Sequence, residues 1–435
     1  MPVNPPLQPA ALLRLIGVAI VLGLVAALGA AVFTWVEHEL QHWLWESLPQ
    51  TLGWEEPAWW WVLAVLLAGA LLVYGAVQLP GRGGHSPLAG LGFDLGPDVI
   101  ISVVLAALAS LAFGAVLGPE APLLAIGTAL GYLALRNPST TQREVLMLAG
   151  AMAAVSIVFG NPLVIAILLL EGVLLGAASK ASPMLLLLPT LAALGSGYVL
   201  QVGIGAWSGF ESASLSLPGL PSYPTLQIPD LILAVPVALG VGLLVVLAVR
   251  LAEWFEPFAK RQVLPALLLG AAVIAVVALL SRAITGFGVE LVLFSGQAAM
   301  PELITISSIG ALAVIATAKA IAYALSMSIG FRGGLVFPAV FLGVAVAAAT
   351  ALIVESSSVT ALAAAGIAAA VAATIRLPFT AVMLAVLLIA PAGLAVTSIA
   401  IIGAVLGLLV RLGIDGRFGP PAAGADIAGQ VTRPT

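Results

Sequence analysis

An all-α membrane protein that crosses the bilayer many times, in two related halves with broken and re-entrant helices, is the fold predicted by three features of the sequence. Of 435 residues, 62% are hydrophobic and only 8% charged, against about 25% charged in an ordinary soluble domain. So few polar residues cannot cover the apolar ones, and lipid has to serve as the solvent. Long apolar runs recur along the whole chain, with room for about a dozen crossings of roughly 20 residues each. The 46 glycines and 29 prolines often bound these runs. Helices that stop inside the membrane are therefore expected, and their ends survive only against protein or a water-filled cavity.

The first run, about residues 12–35 with Arg14 near its start, is longer than the core of a signal peptide and reads as a retained span. Further runs lie at about 59–79, 99–117, 145–158, 163–178, 184–202, 231–251 and 263–280. Later ones cover 306–329, 335–353, 359–375 and 379–412, the last interrupted by Pro391. The stretch between Pro119 and Arg136 is too short for a full crossing and reads as a half-helix. Polar interruptions at 208–229 and 281–301 are the longest expected loops, and both termini are expected to fray.

Self-comparison gives the clearest organisation, because internal repeats are a signature of transporter folds. Gly118–Pro119–Glu120–Ala121–Pro122 aligns with Gly334–Leu335–Val336–Phe337–Pro338 at an offset of 216 residues. The same offset takes Gly127 to Gly343, Ala149–Gly150 to Ala365–Gly366, and Pro162 to Pro378. Alanine-rich helices align by chance, whereas shared glycine and proline positions point to a duplication. The expected division is a half at 1–217, a second half at 218–412 and a short tail at 413–435. Parallel and inverted arrangements of the halves both fit the repeat.

Each half contains a glycine-rich turn that enters an apolar helix, with proline in the first turn, where a missing N–H costs nothing. The free N–H groups and positive dipole end of such a helix form an anion site. Two of them aimed at one point would hold a small anion without lysine or arginine, through backbone near Ala121 and at Leu335, Val336 and Phe337. Glu120 sits in one turn among apolar residues, where a carboxylate is by default functional. It resembles the anion, is expected to compete for its site, and protonation would release it. A helix-capping role for Glu120 is the plainer alternative.

These residues carry a resemblance to the CLC family of chloride channels and chloride/proton antiporters, over about residues 71–412. Gly118–Pro119–Glu120–Ala121–Pro122 is similar to the family's G-x-E-x-P gating motif, and Gly333–Gly334–Leu335–Val336–Phe337–Pro338 to its G-G-x-F-x-P filter motif. Gly83–Gly84–His85–Ser86–Pro87 is a weaker match to G-S-G-I-P. Phe159–Gly160–Asn161–Pro162–Leu163, nine residues before Glu171, resembles the N-x-P-L helix with its glutamate. The resemblance implies two inverted halves, a homodimer with one pathway per subunit, chloride or a similar small anion as substrate, and residence in the cell membrane. The prokaryotic type is implied, with no room after residue 412 for regulatory domains.

Departures from the family pattern bear on mechanism. The filter phenylalanine aligns with Val336, unless a one-residue shift gives the role to Phe337. The motif serine aligns with Gly84, leaving His85 or Ser86 to supply any side-chain donor, and the inner tyrosine has no counterpart beyond Tyr323. The inward glutamate of the antiporters falls on Gly172, which cannot relay a proton. Passive conduction is therefore expected over proton exchange, with water chains or Glu171 keeping the antiporter as the alternative. Proline rather than threonine after Glu120–Ala121 argues against fluoride selectivity.

Other signals are weaker. His38–Glu39–Leu40–Gln41–His42 reads as H-E-x-x-H, the pattern of a zinc hydrolase. It lies among Trp35, Trp43 and Trp45, which suits an interfacial helix end better, as does Trp59–Trp60–Trp61. His85 with Arg82, and Arg332, would draw anions to a mouth of the pathway. Lys319, inside a span, is expected to snorkel or to pair with a helix end. The net charge of −4, without a basic run, excludes nucleic acid as a partner. Zero cysteines exclude disulfides and thiolate metal sites. No lysine follows a glycine as a phosphate loop requires, so no cofactor is expected.

Overall fold

The computed structural model describes residues 9–90, 92–93, 95–175, 182–205 and 216–416. The expected tail from 417 onward, residues 208–215 of the first long loop and 176–178 of one run lie outside them. The first half comprises α1 (Pro9–His42), α2 (Leu48–Thr51), α3 (Trp59–Ala76), α4 (Ile100–Leu111), α5 (Glu120–Leu133), α6 (Thr140–Phe159), α7 (Pro162–Leu174) and α8 (Pro183–Ile204). The second comprises α9 (Ile228–Arg261), α10 (Val263–Thr285), α11 (Met300–Thr305), α12 (Ile309–Ser328), α13 (Val336–Ile353), α14 (Val359–Ile375), α15 (Pro378–Ile389) and α16 (Thr397–Asp415). Among the described residues, nine helical spans are long and apolar enough to cross a membrane, and five more apolar helices are shorter. The shorter ones account for the difference from a dozen full crossings: they are the broken helices that the glycine and proline content predicted.

Local chemistry sets the breaks. Ser139 and Gln142 form a reciprocal capping box that starts α6. Gly160 ends it in the left-handed conformation, Asn161 caps the Leu163 N–H at 2.9 Å, and Pro162 opens α7. The counterpart of Gly160 is Arg376, which ends α14 with a φ of 59°, matching the 60° of Gly160. A non-glycine residue there carries strain, and Asp415 holds the Arg376 guanidinium at 2.6 Å.

The halves are inverted, and they meet on equivalent residues. Gly118 and Gly334, 216 residues apart, form an isolated antiparallel bridge with N–H to carbonyl distances of 2.9 and 2.5 Å. Antiparallel pairing of a residue with its own repeat places the pseudo-two-fold axis through this bridge. The same symmetry governs packing: Gly127 of α5 lies against the backbone of Gly150 in α6, and Gly343 of α13 against Gly366 of α14. Small residues let backbones approach this closely where no hydrophobic force draws helices together in lipid. α6 and α14 are buried almost all round and form the centre, whereas α9 and α10 show Leu239, Leu243, Leu269 and Val273 to the exterior.

Two expectations change. The apolar run at 99–117 is helical only to Leu111, since the chain must leave the helix at Gly114, with φ at 103°, to reach the bridge. The stretch 281–301, expected as a loop, is partly core: Leu291, Val292 and Leu293 are fully buried.

The glycine contacts generate a test. A methyl at Gly127 would strike the Gly150 carbonyl, so Gly127→Ala is expected to cost about 1–3 kcal/mol, read as a lower Tm in detergent. Gly75→Ala in α3, whose added carbon meets nothing within 4 Å, should leave the Tm unchanged or raised.

Candidate anion site

The bridge sets the starts of α5 and α13 side by side. Glu120, the first residue of α5, is 1% exposed. Its Oε1 accepts the Phe337 N–H in the first turn of α13 at 3.2 Å, and its Oε2 has no hydrogen-bond partner. The carboxylate thus occupies the positive end of the other half's helix, where unpaired N–H groups and the dipole favour negative charge. Space for it exists because Gly118 and Gly334 have no side chains: a Cβ at either would run into the Glu120 carboxylate.

A narrow cavity of about 20 Å³ leads away from Glu120 between Val336, Phe159, Val371 and Leu168 to Thr380. The cavity is about the size of one water, and its lining is almost entirely apolar. Val336 therefore faces the cavity, whereas Phe337 is fully buried and stacks on Phe159 with ring centroids 5.5 Å apart. At the far end Glu171 accepts from the N–H groups of Phe379 and Thr380 at 3.0 and 2.8 Å and from the Thr380 hydroxyl at 2.8 Å. It satisfies the start of α15 much as Glu120 satisfies the start of α13.

The remaining expected residues lie apart. Ala121 follows Glu120 in the first turn of α5. Gly84, His85 and Ser86 do not line this cavity, and the Ser86 hydroxyl donates to Glu256 at 2.8 Å, a carboxylate that also pairs with Lys260 at 3.0 Å. Arg332 reaches the same loop, donating to the Arg82 carbonyl at 3.2 Å. His38 and His42 are exposed at the end of α1, and the His42 ring meets Glu46 and Ser47. Among the described residues no group of three or more metal-binding side chains forms.

Sequence reasoning missed one face of α12. Tyr323 is fully buried and donates its hydroxyl to the Leu335 carbonyl at 2.8 Å, fixing the peptide that opens α13. Ser326 accepts the Val116 N–H at 3.0 Å, on the chain leading to Glu120. Lys319 does not snorkel: it is fully buried, and donates to the carbonyls of Leu293 at 2.9 Å and Phe294 at 3.2 Å. Positions 319, 323 and 326 recur at i, i+4 and i+7, one stripe of a helix. That polar stripe in an apolar span was the available signal.

Inverted halves whose broken helices start together inside the membrane, around a single carboxylate, define a membrane ion-transport protein of the discontinuous-helix kind. Residues 86–411 match the family described as voltage gated chloride channel, and the chain belongs to that family. It is 27% identical over 342 residues to "Putative ion-transport protein YfeO" of Escherichia coli O17:K52:H18, covering 75% of this chain and 76% of that protein. The protein of the same name from Shigella boydii serotype 4 is 27% identical over 340 residues, with the same coverage. Among solved structures, a slow cyanobacterial Cl−/H+ antiporter superposes with a TM-score of 0.78 at 19% identity, covering 98% of this chain and 99% of that one. A CLC-type fluoride/proton antiporter superposes with a TM-score of 0.68 at 17% identity, covering 93% and 97%.

Removing the acceptor at α15 tests the lower end of the site. Glu171→Ala leaves three donors unpaired and is expected to lower stability by about 1–3 kcal/mol, with Glu171→Gln losing less. Thermal unfolding in detergent measures both.

Proposed function

We propose that the protein exchanges chloride-like anions for protons, with Glu120 as the gate that both ions use. The observation that carries this reading is the Glu120 carboxylate seated on the Phe337 N–H at the start of α13, with its second oxygen unpartnered. Two negative charges cannot share that helix end, so an anion enters only when Glu120 leaves. A carboxylate leaves such donors most readily once protonated, because the neutral acid gains little from the helix dipole. Each anion that passes is then tied to a proton on Glu120.

Gly172 favours passive conduction, and the cavity supports the opposite. It joins Glu120 to Thr380, whose hydroxyl donates to Glu171. A water passing transiently through this gap to the Thr380 hydroxyl, which is bonded to Glu171, would supply a proton route that needs no side chain at position 172. The similarity to proteins described as Cl−/H+ and fluoride/proton antiporters supports the same choice. The site draws all its groups from one chain, which suits a homodimer in the cell membrane with a separate pathway in each subunit.

Reconstituted liposomes test the proposal. An imposed chloride gradient is expected to drive protons uphill through the wild-type protein. Glu120→Gln should abolish proton movement and leave chloride flux indifferent to the pH gradient. Glu171→Gln should slow proton movement by about an order of magnitude or more while chloride still passes. Chloride flux through the wild type with no accompanying protons would establish passive conduction instead.

A further inference from the structure

Lys319 is the least explained residue in the chain. A fully buried lysine in a membrane span is costly unless its charge is matched, and among the described residues no carboxylate pairs with it. Its surroundings nevertheless fit a cation. The Nζ lies 2.9 and 3.2 Å from the carbonyl oxygens of Leu293 and Phe294, and 4.3 Å from the centroid of the Phe341 ring. Three electron-rich partners match the three N–H donors of an ammonium, whereas a neutral amine would turn a lone pair on one of them. Gly296 makes room for this cluster: its φ is 81°, and a Cβ there would stand 2.8 Å from the Nζ.

The ammonium is close to the anion site without touching it. Lys319 stands one turn before Tyr323, about 6 Å along α12, and Phe341 lies about 7 Å into α13 from Val336. Tyr323 bonds Leu335 and the Phe341 ring carries the ammonium, so both helices place the charge roughly 10 Å from the start of α13. We propose that Lys319 is the fixed counter-charge of the anion site. Its positive charge is balanced by whichever anion sits at the start of α13, the Glu120 carboxylate in the closed state and the transported ion in the open one. This rests on the reading of Glu120 as a competitor for the anion's place. It explains how a site made of backbone donors holds an anion with no basic side chain in contact. Across roughly 10 Å at a protein-like dielectric, one unit charge changes anion affinity by about tenfold.

Calorimetric titration of halide into detergent-purified protein tests the proposal in wild-type and Glu120→Gln backgrounds. Lys319→Met is expected to weaken chloride binding about tenfold in the Glu120→Gln background and to change it much less in wild type, where the competing Glu120 carboxylate loses the same attraction; Lys319→Arg should stay within about twofold of its parent. Bromide should weaken by the same factor, because a distant charge does not sense ion size, whereas a distorted site would change the chloride-to-bromide ratio. Should Lys319→Met not give a monodisperse protein, Lys319→Gln, which keeps donors for the two carbonyls, takes its place with the same expectation. Unchanged chloride affinity in a folded neutral variant of the Glu120→Gln protein, or a changed halide ratio there, would overturn the counter-charge. A Glu120→Gln protein that binds chloride no more tightly than wild type would overturn the competitor reading, and the Lys319 comparison would still be read within the Glu120→Gln background.

Discussion

The antiparallel pairing of Gly118 with Gly334 is the constraint on which the rest of the site depends. Two backbone hydrogen bonds between equivalent residues of the two halves hold α5 and α13 with their starts adjacent. Broken backbone inside a bilayer is tolerable only where its polar groups find partners, and here each break partly satisfies the other. The arrangement leaves the first N–H groups of both helices unspent. It also admits a carboxylate where any side chain on either glycine would collide. The placing of the Glu120 carboxylate at the start of α13 follows from that pairing.

Around the bridge the structure is stiff. α12 pins three non-helical segments through one polar stripe: Lys319 holds Leu293 and Phe294, Tyr323 holds Leu335, and Ser326 holds Val116. Backbone-to-backbone contacts at the glycine pairs of α5 with α6 and α13 with α14 leave little room for the helices to slide. On the proposed gating, opening the pathway asks for movement of the Glu120 side chain, whose second oxygen is already unbonded, more than of any helix.

Much of this was legible in the sequence, because the elements that define the site carry glycine and proline at fixed spacing. The 216-residue offset located the two helix starts, and Glu120 was singled out by its apolar surroundings. What stayed hidden depends on which face of an apolar helix meets which neighbour. α12 is hydrophobic enough to cross a membrane, so Ser326 drew no notice, Tyr323 was set aside as no counterpart of the inner tyrosine, and Lys319 was expected to snorkel or to pair with a helix end. The segment near 289–294 looked like a loop because glycines and polar residues flank it, yet the Lys319 ammonium meets two of its carbonyls and permits burial. Ser86 was a candidate to supply the missing motif donor, but Glu256 on α9, distant in sequence, takes its hydroxyl.

The bridge also says something about symmetry. Position 120 and position 336 are equivalent in the two halves, yet one holds glutamate and the other valine. Two identical half-length chains joined by the same antiparallel pairing would bring either two carboxylates or none to the axis. Two would repel each other across the bridge, and none would leave both helix starts permanently open to passing anions. Joining the halves into one polypeptide permits a single carboxylate beside the axis, so the fold is symmetric in its backbone and one-sided in its chemistry.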